Sequence, residues 1–385
     1  MTATHGTAAT TAQTSPGQGS PGQTTSETDA PDLDVARVEE FAGTVLQMIA
    51  DASTALSLSI GHRTGLFDGM AGLPPTTSQG VADATGLQER YVREWLAAML
   101  VGGIVEHDPH AGTWHLPPEH GAVLTRQSGK DNLAKLAQLI GLMAGVEHRL
   151  VTCFRQGGGV PYSAYTEFHA LMSEDSKDMA EALLVDEVLP LVDGLRDRLS
   201  QGISVADVGC GSGHHLCVLA SAFPASSFVG YDLSEEPIAS ARATARSRGL
   251  ANVRFEVRDV TDLSGTGPFA LVTAFDAIHD QAHPAAVLAS VAASLAPDGV
   301  FLMCDIRASS RPHENVGVPG AGFLYGISLM HCMTVSLSQE GGAGLGAAWG
   351  EQTAVRMLHE AGFAQVQVKR VEGDFINNYY VARLT

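Results

Sequence analysis

The chain has 385 residues, 45% of them hydrophobic and 17% charged, with 23 Lys and Arg against 42 Asp and Glu for a formal net charge of −19. That length allows two or three domains with ample core, and the apolar fraction excludes a disordered or fibrous chain. So acidic a surface repels phosphate backbones and anionic membrane faces, and no Lys/Arg run exceeds two residues, so neither nucleic acid nor a membrane is an expected partner. The five cysteines (Cys153, Cys210, Cys217, Cys304, Cys332) show no C-x-x-C spacing and read as free thiols of a reducing compartment, which predicts a cytoplasmic protein. No stretch approaches the roughly 18–20 uninterrupted apolar residues of a membrane span, and residues 1–31 lack the charged-then-apolar order of a signal peptide.

Residues 1–31 are almost wholly Thr, Ser, Gly, Pro, Gln and Ala, too little apolar surface to offset the entropy of ordering, which predicts a disordered tail. From Asp32 apolar residues fall at helical spacing (Val35, Val38, Phe41, Val45, Leu46, Ile49, Leu56, Leu58) as far as Gly65-Leu66-Phe67, predicting a buried helical opening. Residues 77–86 read as a short helix ended by a glycine and 88–101 as a second. Residues 102–106 and 113–116 read as two short strands, completing a winged helix. Between positions 35 and 126 there are five Arg, no Lys and ten Asp or Glu, a net −5, and the second helix offers only Arg90 and Arg93 beside Glu89 and Glu94. Phosphate contacts supply most DNA affinity, so the expected role is dimerisation or covering a substrate.

Residues 128–200 hold further helix patterns (Leu133, Leu136, Leu139, Ile140; then Met179, Leu183, Leu184, Val188, Leu191, Val192, Leu195), broken by Gly157-Gly158-Gly159-Val160-Pro161-Tyr162. The break is an elbow beside Tyr162, Tyr165, Phe168 and His169. A substrate-pocket wall and ordinary interhelical core are both open readings of that cluster.

From Ile203 buried strands and helices alternate, the mark of a parallel sheet with crossover helices. A strand at 204–208 runs into Gly209-Cys210-Gly211-Ser212-Gly213, and a helix opens at His214. A second strand, 227–232, ends in Asp232; a third, 253–260, ends at Asp259-Val260. Glycines let a ligand approach a helix N-terminus, and an acid at the next strand tip can accept both hydroxyls of a ribose. A dinucleotide turn needs a third glycine where this chain has His214 or Leu216. Two acidic strand tips suit ribose and an adenine amine better than pyrophosphate, which selects S-adenosylmethionine.

On Asp207-Val208-Gly209-Cys210-Gly211-Ser212-Gly213, Gly230-Tyr231-Asp232-Leu233-Ser234, Arg258-Asp259-Val260 and Leu295-Ala296-Pro297-Asp298-Gly299-Val300, residues 203–382 resemble the class I S-adenosylmethionine-dependent methyltransferases. With the N-terminal half added, the layout is similar to an actinobacterial-type family of winged-helix methyltransferases, akin to dimeric small-molecule O-methyltransferases. The resemblance implies an α/β fold: a Rossmann-like seven-stranded methyltransferase domain (202–385) whose last strand, 375–381, is antiparallel. Before it come a helical winged-helix domain (32–127), a helical linker and substrate cap (128–201), and the tail. It further implies a homodimer and a small-molecule methyl acceptor. Gly209, Cys210, Gly211 and Gly213 would lie against the methionine part of the cofactor, Asp232 and Leu233 would hold ribose and adenine, and Asp259 with Val260 would meet the adenine ring. Asp207, His215 and Phe275 are further candidate cofactor contacts.

Methyl transfer from a sulfonium needs an aligned nucleophile and, for an alcohol, a base. The fourth strand, 270–276, leads to Ala277-Ile278-His279-Asp280, beyond a strand's carboxyl end where ligands of open sheets bind. His279-Asp280 resembles the His-Asp pair of the O-methyltransferases, where the histidine is the base, although Gln281 replaces the usual tryptophan. A metal reading would use His279, Asp280, His283, Cys304, Asp305, His331 and Cys332, but Pro284 starts a helix right after His283, and no metal is assigned. The segment after the fifth strand (Tyr325, Met330-His331-Cys332-Met333, then a glycine-rich run) reads as a cap over a soft apolar substrate, with Tyr162, Tyr165, His283, Tyr325 and His331 as candidate acceptor contacts. A thiol needs little base, so S-methylation is the leading expectation and O-methylation with His279 as base the alternative. A cofactor-sensing transcriptional regulator and a non-methylating enzyme of the same fold are the competing classes.

Overall fold

The computed structural model describes residues 33–385; the expected tail lies outside them. The chain divides into two compact units, one ending at Met48 and one comprising Ile49–Thr385. The opening helix is continuous over Val35–Thr64, and its length and apolar composition alone would let it cross a membrane. Its expected burial is wrong. Val35, Phe41 and Leu46 are each about two-thirds exposed, and the helix buries only Ser59, Gly61 and His62. As far as Met48 the unit's described part is a single helix, with no second element of its own to cover an apolar stripe.

In the second unit, helices Ser78–Thr85 and Glu89–Val101 form as expected. Thr77 caps the first by accepting from the Gly80 amide, and left-handed Gly86 ends it. The wing is a two-stranded ribbon, β1 (Glu106–Asp108) against β2 (Thr113–His115). Residues 102–105 are not strand, because the amides of Ile104 and Val105 turn back to the Met99 carbonyl and close the preceding helix. Phe67, Val81, Val92, Trp95, Leu96 and Met99 make the core of this part.

Helices Gln138–Gln156 and Phe168–Leu183 follow. Lys135, 2% exposed, fastens the approach to the first onto the second by lying 2.9 Å from Asp175 and 3.0 Å from Asp178. The strap between the helices is pinned across the fold. The Val160 amide donates to both the carbonyl and the hydroxyl of Thr334, and a side chain on Gly159 would sit 1.9 Å from that carbonyl.

The large sheet contains β3 (Ser204–Val208), β4 (Ser227–Asp232), β5 (Val253–Val257), β6 (Phe269–Phe275), β7 (Leu295–Ile306), β8 (Gln365–Lys369) and β9 (Asn377–Arg383) in the order β5-β4-β3-β6-β7-β9-β8. β3 to β7 are parallel, and β9 runs antiparallel to both neighbours, two residues later than expected. Side-chain alternation gives each face its own core: Val205, Phe228, Leu271 and Leu302 on one, Ala206, Val229, Val272 and Phe301 on the other. β5 ends three residues earlier than the sequence suggests, because Asp259 Oδ1 accepts both the amide and the hydroxyl of Thr261 and turns the chain. The strand order reverses between β3 and β6, opening a crevice at their carboxyl ends.

Candidate active site

The glycine turn after β3 is built by close approach. The amides of Gly209 and Cys210 both donate to the Tyr231 carbonyl, joining the turn to β4. Gly209 and Gly213 have φ of +71°. A Cβ on Gly209 would meet Ala277 at 2.4 Å, and one on Gly213 would meet Phe255 at 2.4 Å and Ala241 at 2.9 Å. Gly211, φ +50°, is different: nothing lies within 4 Å of its absent side chain. Its amide donates to Asp232 Oδ2 at 2.9 Å, and the Ser234 amide donates to Oδ1 at the same distance. The Asp232 carboxylate is thus fixed at the strand tip with one lone pair free on each oxygen, which fits a cis-diol. Leu233 beside it is 61% exposed and offers an apolar face to a flat base.

Asp207 lies buried beneath the turn, accepting from Thr273 Oγ1 at 2.7 Å. Burial pushes its carboxyl up to about 7, against the Thr273 hydrogen bond and with help from Asp232. Cys210 turns its side chain into the core, so only its backbone faces the turn. His215 stacks on Phe275 with ring centroids 3.9 Å apart and lies 3.3 Å from the Ser176 hydroxyl. Burial lowers it to about 3, so the ring is neutral. Asp259 is exposed and spent on its own turn, while Val260 is buried among the core of the opposite face.

His279, 5% exposed, follows β6, after Asp276 with its left-handed φ of +50°. Its Nδ1 lies 2.8 Å from Asp305 Oδ1, at the end of neighbouring β7. The same oxygen accepts the Ile306 amide at 2.8 Å and Trp349 Nε1 at 3.0 Å, which holds the carboxylate still. Burial opposes charge on His279, yet Asp305 and the hydrogen-bonded Cys332 hold it well above the usual histidine range. Asp280 belongs to a different contact, since the Tyr162 hydroxyl donates to its Oδ2. Burial raises the Asp280 carboxyl, with His279 and Tyr162 acting the other way and Asp232 adding to the rise.

Of the candidate acceptor residues, Tyr162, Tyr165 and His331 pack with Phe168 as one cluster. The Tyr165 hydroxyl donates to the Met330 carbonyl at 2.6 Å. Two of the expected acceptor residues stand apart. Tyr325 takes a hydrogen bond from Asn315 Nδ2, and His283 is exposed at the start of helix Pro284–Ser294, beside Gly341.

Two family models match the chain: "Rv2258c-like winged HTH domain" over residues 52–126 and "Methyltransferase domain" over 199–336. Among solved structures, a putative O-methyltransferase of Nostoc punctiforme superposes with a TM-score of 0.69 at 16% identity, covering 89% of this chain and 98% of that one. The mitomycin 7-O-methyltransferase does so with 0.66 at 17%, covering 91% and 99%. The chain belongs to the class I S-adenosylmethionine-dependent methyltransferases with an N-terminal winged helix. A curated relative, the tRNA (guanine-N(7)-)-methyltransferase of Rhodopseudomonas palustris, is 28% identical over 154 residues, 36% of this chain and 62% of its own length. The chain therefore spans less than two-thirds of that relative.

Within this methyltransferase frame, sequence reasoning did not pair His279 with Asp305, which it weighed only as a metal ligand, and it gave Trp349 no role. In the sheet, β6 and β7 are adjacent parallel strands, so their carboxyl-end residues meet. Among the described residues no three His, Cys, Asp or Glu side chains converge as a metal set.

Proposed function

We propose that this methyltransferase moves the sulfonium methyl group of S-adenosylmethionine onto a hydroxyl oxygen of a small molecule. Asp232, the Gly211 backbone and Leu233 would hold the adenosyl part, with Asp207, Gly209 and Gly213 shaping the turn that receives the methionine part. When bound, the cofactor would supply an electrophilic methyl carbon on a sulfonium whose neutral thioether is a good leaving group. His279 takes the hydroxyl proton on Nε2 while Asp305 holds its Nδ1.

The His279–Asp305 hydrogen bond carries the choice of oxygen over sulfur. A thiol ionises near neutral pH and needs no oriented base; a hydroxyl does. The sequence expectation favoured thiols because a thiol needs little base; a paired imidazole and carboxylate favours a hydroxyl. The superposed structures, both named as O-methyltransferases, support the same reading. The exposed apolar residues of the opening helix support pairing with a second copy of the chain. Incubation with methyl-labelled cofactor and matched panels of phenols and thiols tests the reading: label on oxygen, lost in His279→Gln, is expected, and equal labelling of thiols by that variant would sink it.

A further inference from the structure

His331 is 1% exposed, yet neither of its ring nitrogens has a hydrogen-bond partner. Among the described residues no other buried side chain leaves two polar atoms open. Buried polar groups are otherwise almost always paired, so an open pair marks a place that something else completes. None of the neighbours does so. The Tyr162 hydroxyl is engaged with Asp280 and the Tyr165 hydroxyl with the Met330 carbonyl, while Phe168, stacked on His331 at 3.9 Å between centroids, has nothing to offer.

The backbone here is also unusual. Ser328–Cys332 is a five-residue π-helical turn between helices Ala321–Ile327 and Met333–Leu337. Such wide turns cluster at functional sites, where they redirect side chains. In this one, consecutive residues serve two purposes: His331 enters the aromatic cluster and Cys332 contacts His279.

Resting on the reading of His279 as base, we propose that His331 is a second recognition point for the acceptor. That acceptor is a flat, uncharged aromatic ring carrying a hydroxyl beside the one that is methylated. Tyr162, Tyr165 and Phe168 supply faces and edges for ring packing. Burial, with His279 and His169 adding to the effect, lowers His331 to about 3. A neutral imidazole presents one donor and one acceptor, which matches a hydroxyl in either orientation. Asp305 acts on both Asp276 and Asp280, and Asp232 on Asp280, so carboxyl groups gather around His279 and disfavour an acidic acceptor.

The test compares 2,3-dihydroxynaphthalene with 2-naphthol on the full chain. With S-adenosylmethionine present, wild type is expected to show kcat/KM about tenfold higher for the diol, the difference residing in KM. His331→Phe should bring that ratio near one, and His331→Gln, which keeps a donor and an acceptor, should restore part of it. A ratio unaffected by His331→Phe overturns the inference. Calorimetry on protein saturated with S-adenosylhomocysteine separates the two readings. Diol binding that is present in wild type and lost in His331→Phe supports His331 even if no methyl is transferred, whereas absence of diol binding to wild type overturns it.

Discussion

The proposed cofactor side of the crevice is made mostly of backbone: Gly209, Gly211 and Gly213 in one turn, plus the next strand tip at Asp232. The proposed acceptor side draws Tyr162, His279, Asp305, His331 and Trp349 from distant parts of the chain, and nearly every contact is between side chains. At Gly209 and Gly213, where positive φ and close neighbours leave no room for a Cβ, the turn can be disturbed only by disturbing the fold around it. A side-chain assembly can lose its chemistry while the fold stands.

The sharpest way to break this contrast is on the acceptor side. His279→Gln should cut kcat by about 10²–10⁴ with cofactor affinity within about twofold of wild type, read by single-turnover kinetics and calorimetry. A parallel loss of cofactor binding would show that the two sides are not separable. On the cofactor side, Gly213→Ala should weaken cofactor binding on the order of 100-fold and lower the melting temperature, because its methyl meets Phe255 and Ala241 in a left-handed backbone. Gly211→Ala, facing open space, should cost only about 1 kcal/mol of stability from its backbone while still impairing the cofactor.

A smaller effect, about tenfold on kcat, is expected for Asp305→Asn, and its signature is the pH profile. Asp305 raises the His279 pKa, so wild-type rate should climb with pH through an inflection above the ordinary histidine value, and the variant's inflection should fall lower. The smallest effect concerns stability. Asp207 binds a proton in the folded state up to about 7 but is deprotonated above about 4 when unfolded, so folding loses stability as pH rises between those values. Asp207→Asn should therefore melt a few degrees higher than wild type at pH 8 and show little gain at pH 4; a constant difference would contradict the assignment.

The same contrast explains what the sequence revealed. Strands β3, β4 and β6, the glycine turn and the acid at Asp232 are local patterns, in which period and spacing settle the structure. Burial of the opening helix was not local, since periodicity shows that a helix has an apolar stripe without showing what covers it. The wing's first strand was misplaced because Gly103 lets the helix end curl back on Met99. Asp305 and Trp349 escaped because their meaning depends on sheet order and on a contact across the insert. The π-helical turn at Ser328–Cys332 has no sequence signature of its own.

One last feature bears on time rather than geometry. The strap through Gly159 and Val160 is buttoned to Thr334 by two hydrogen bonds and carries Tyr162 to Asp280, over imidazoles that water barely reaches. An acceptor ring seated against those imidazoles would lie beside the strap, so the opening of that button would join the displacement in setting the pace of each cycle.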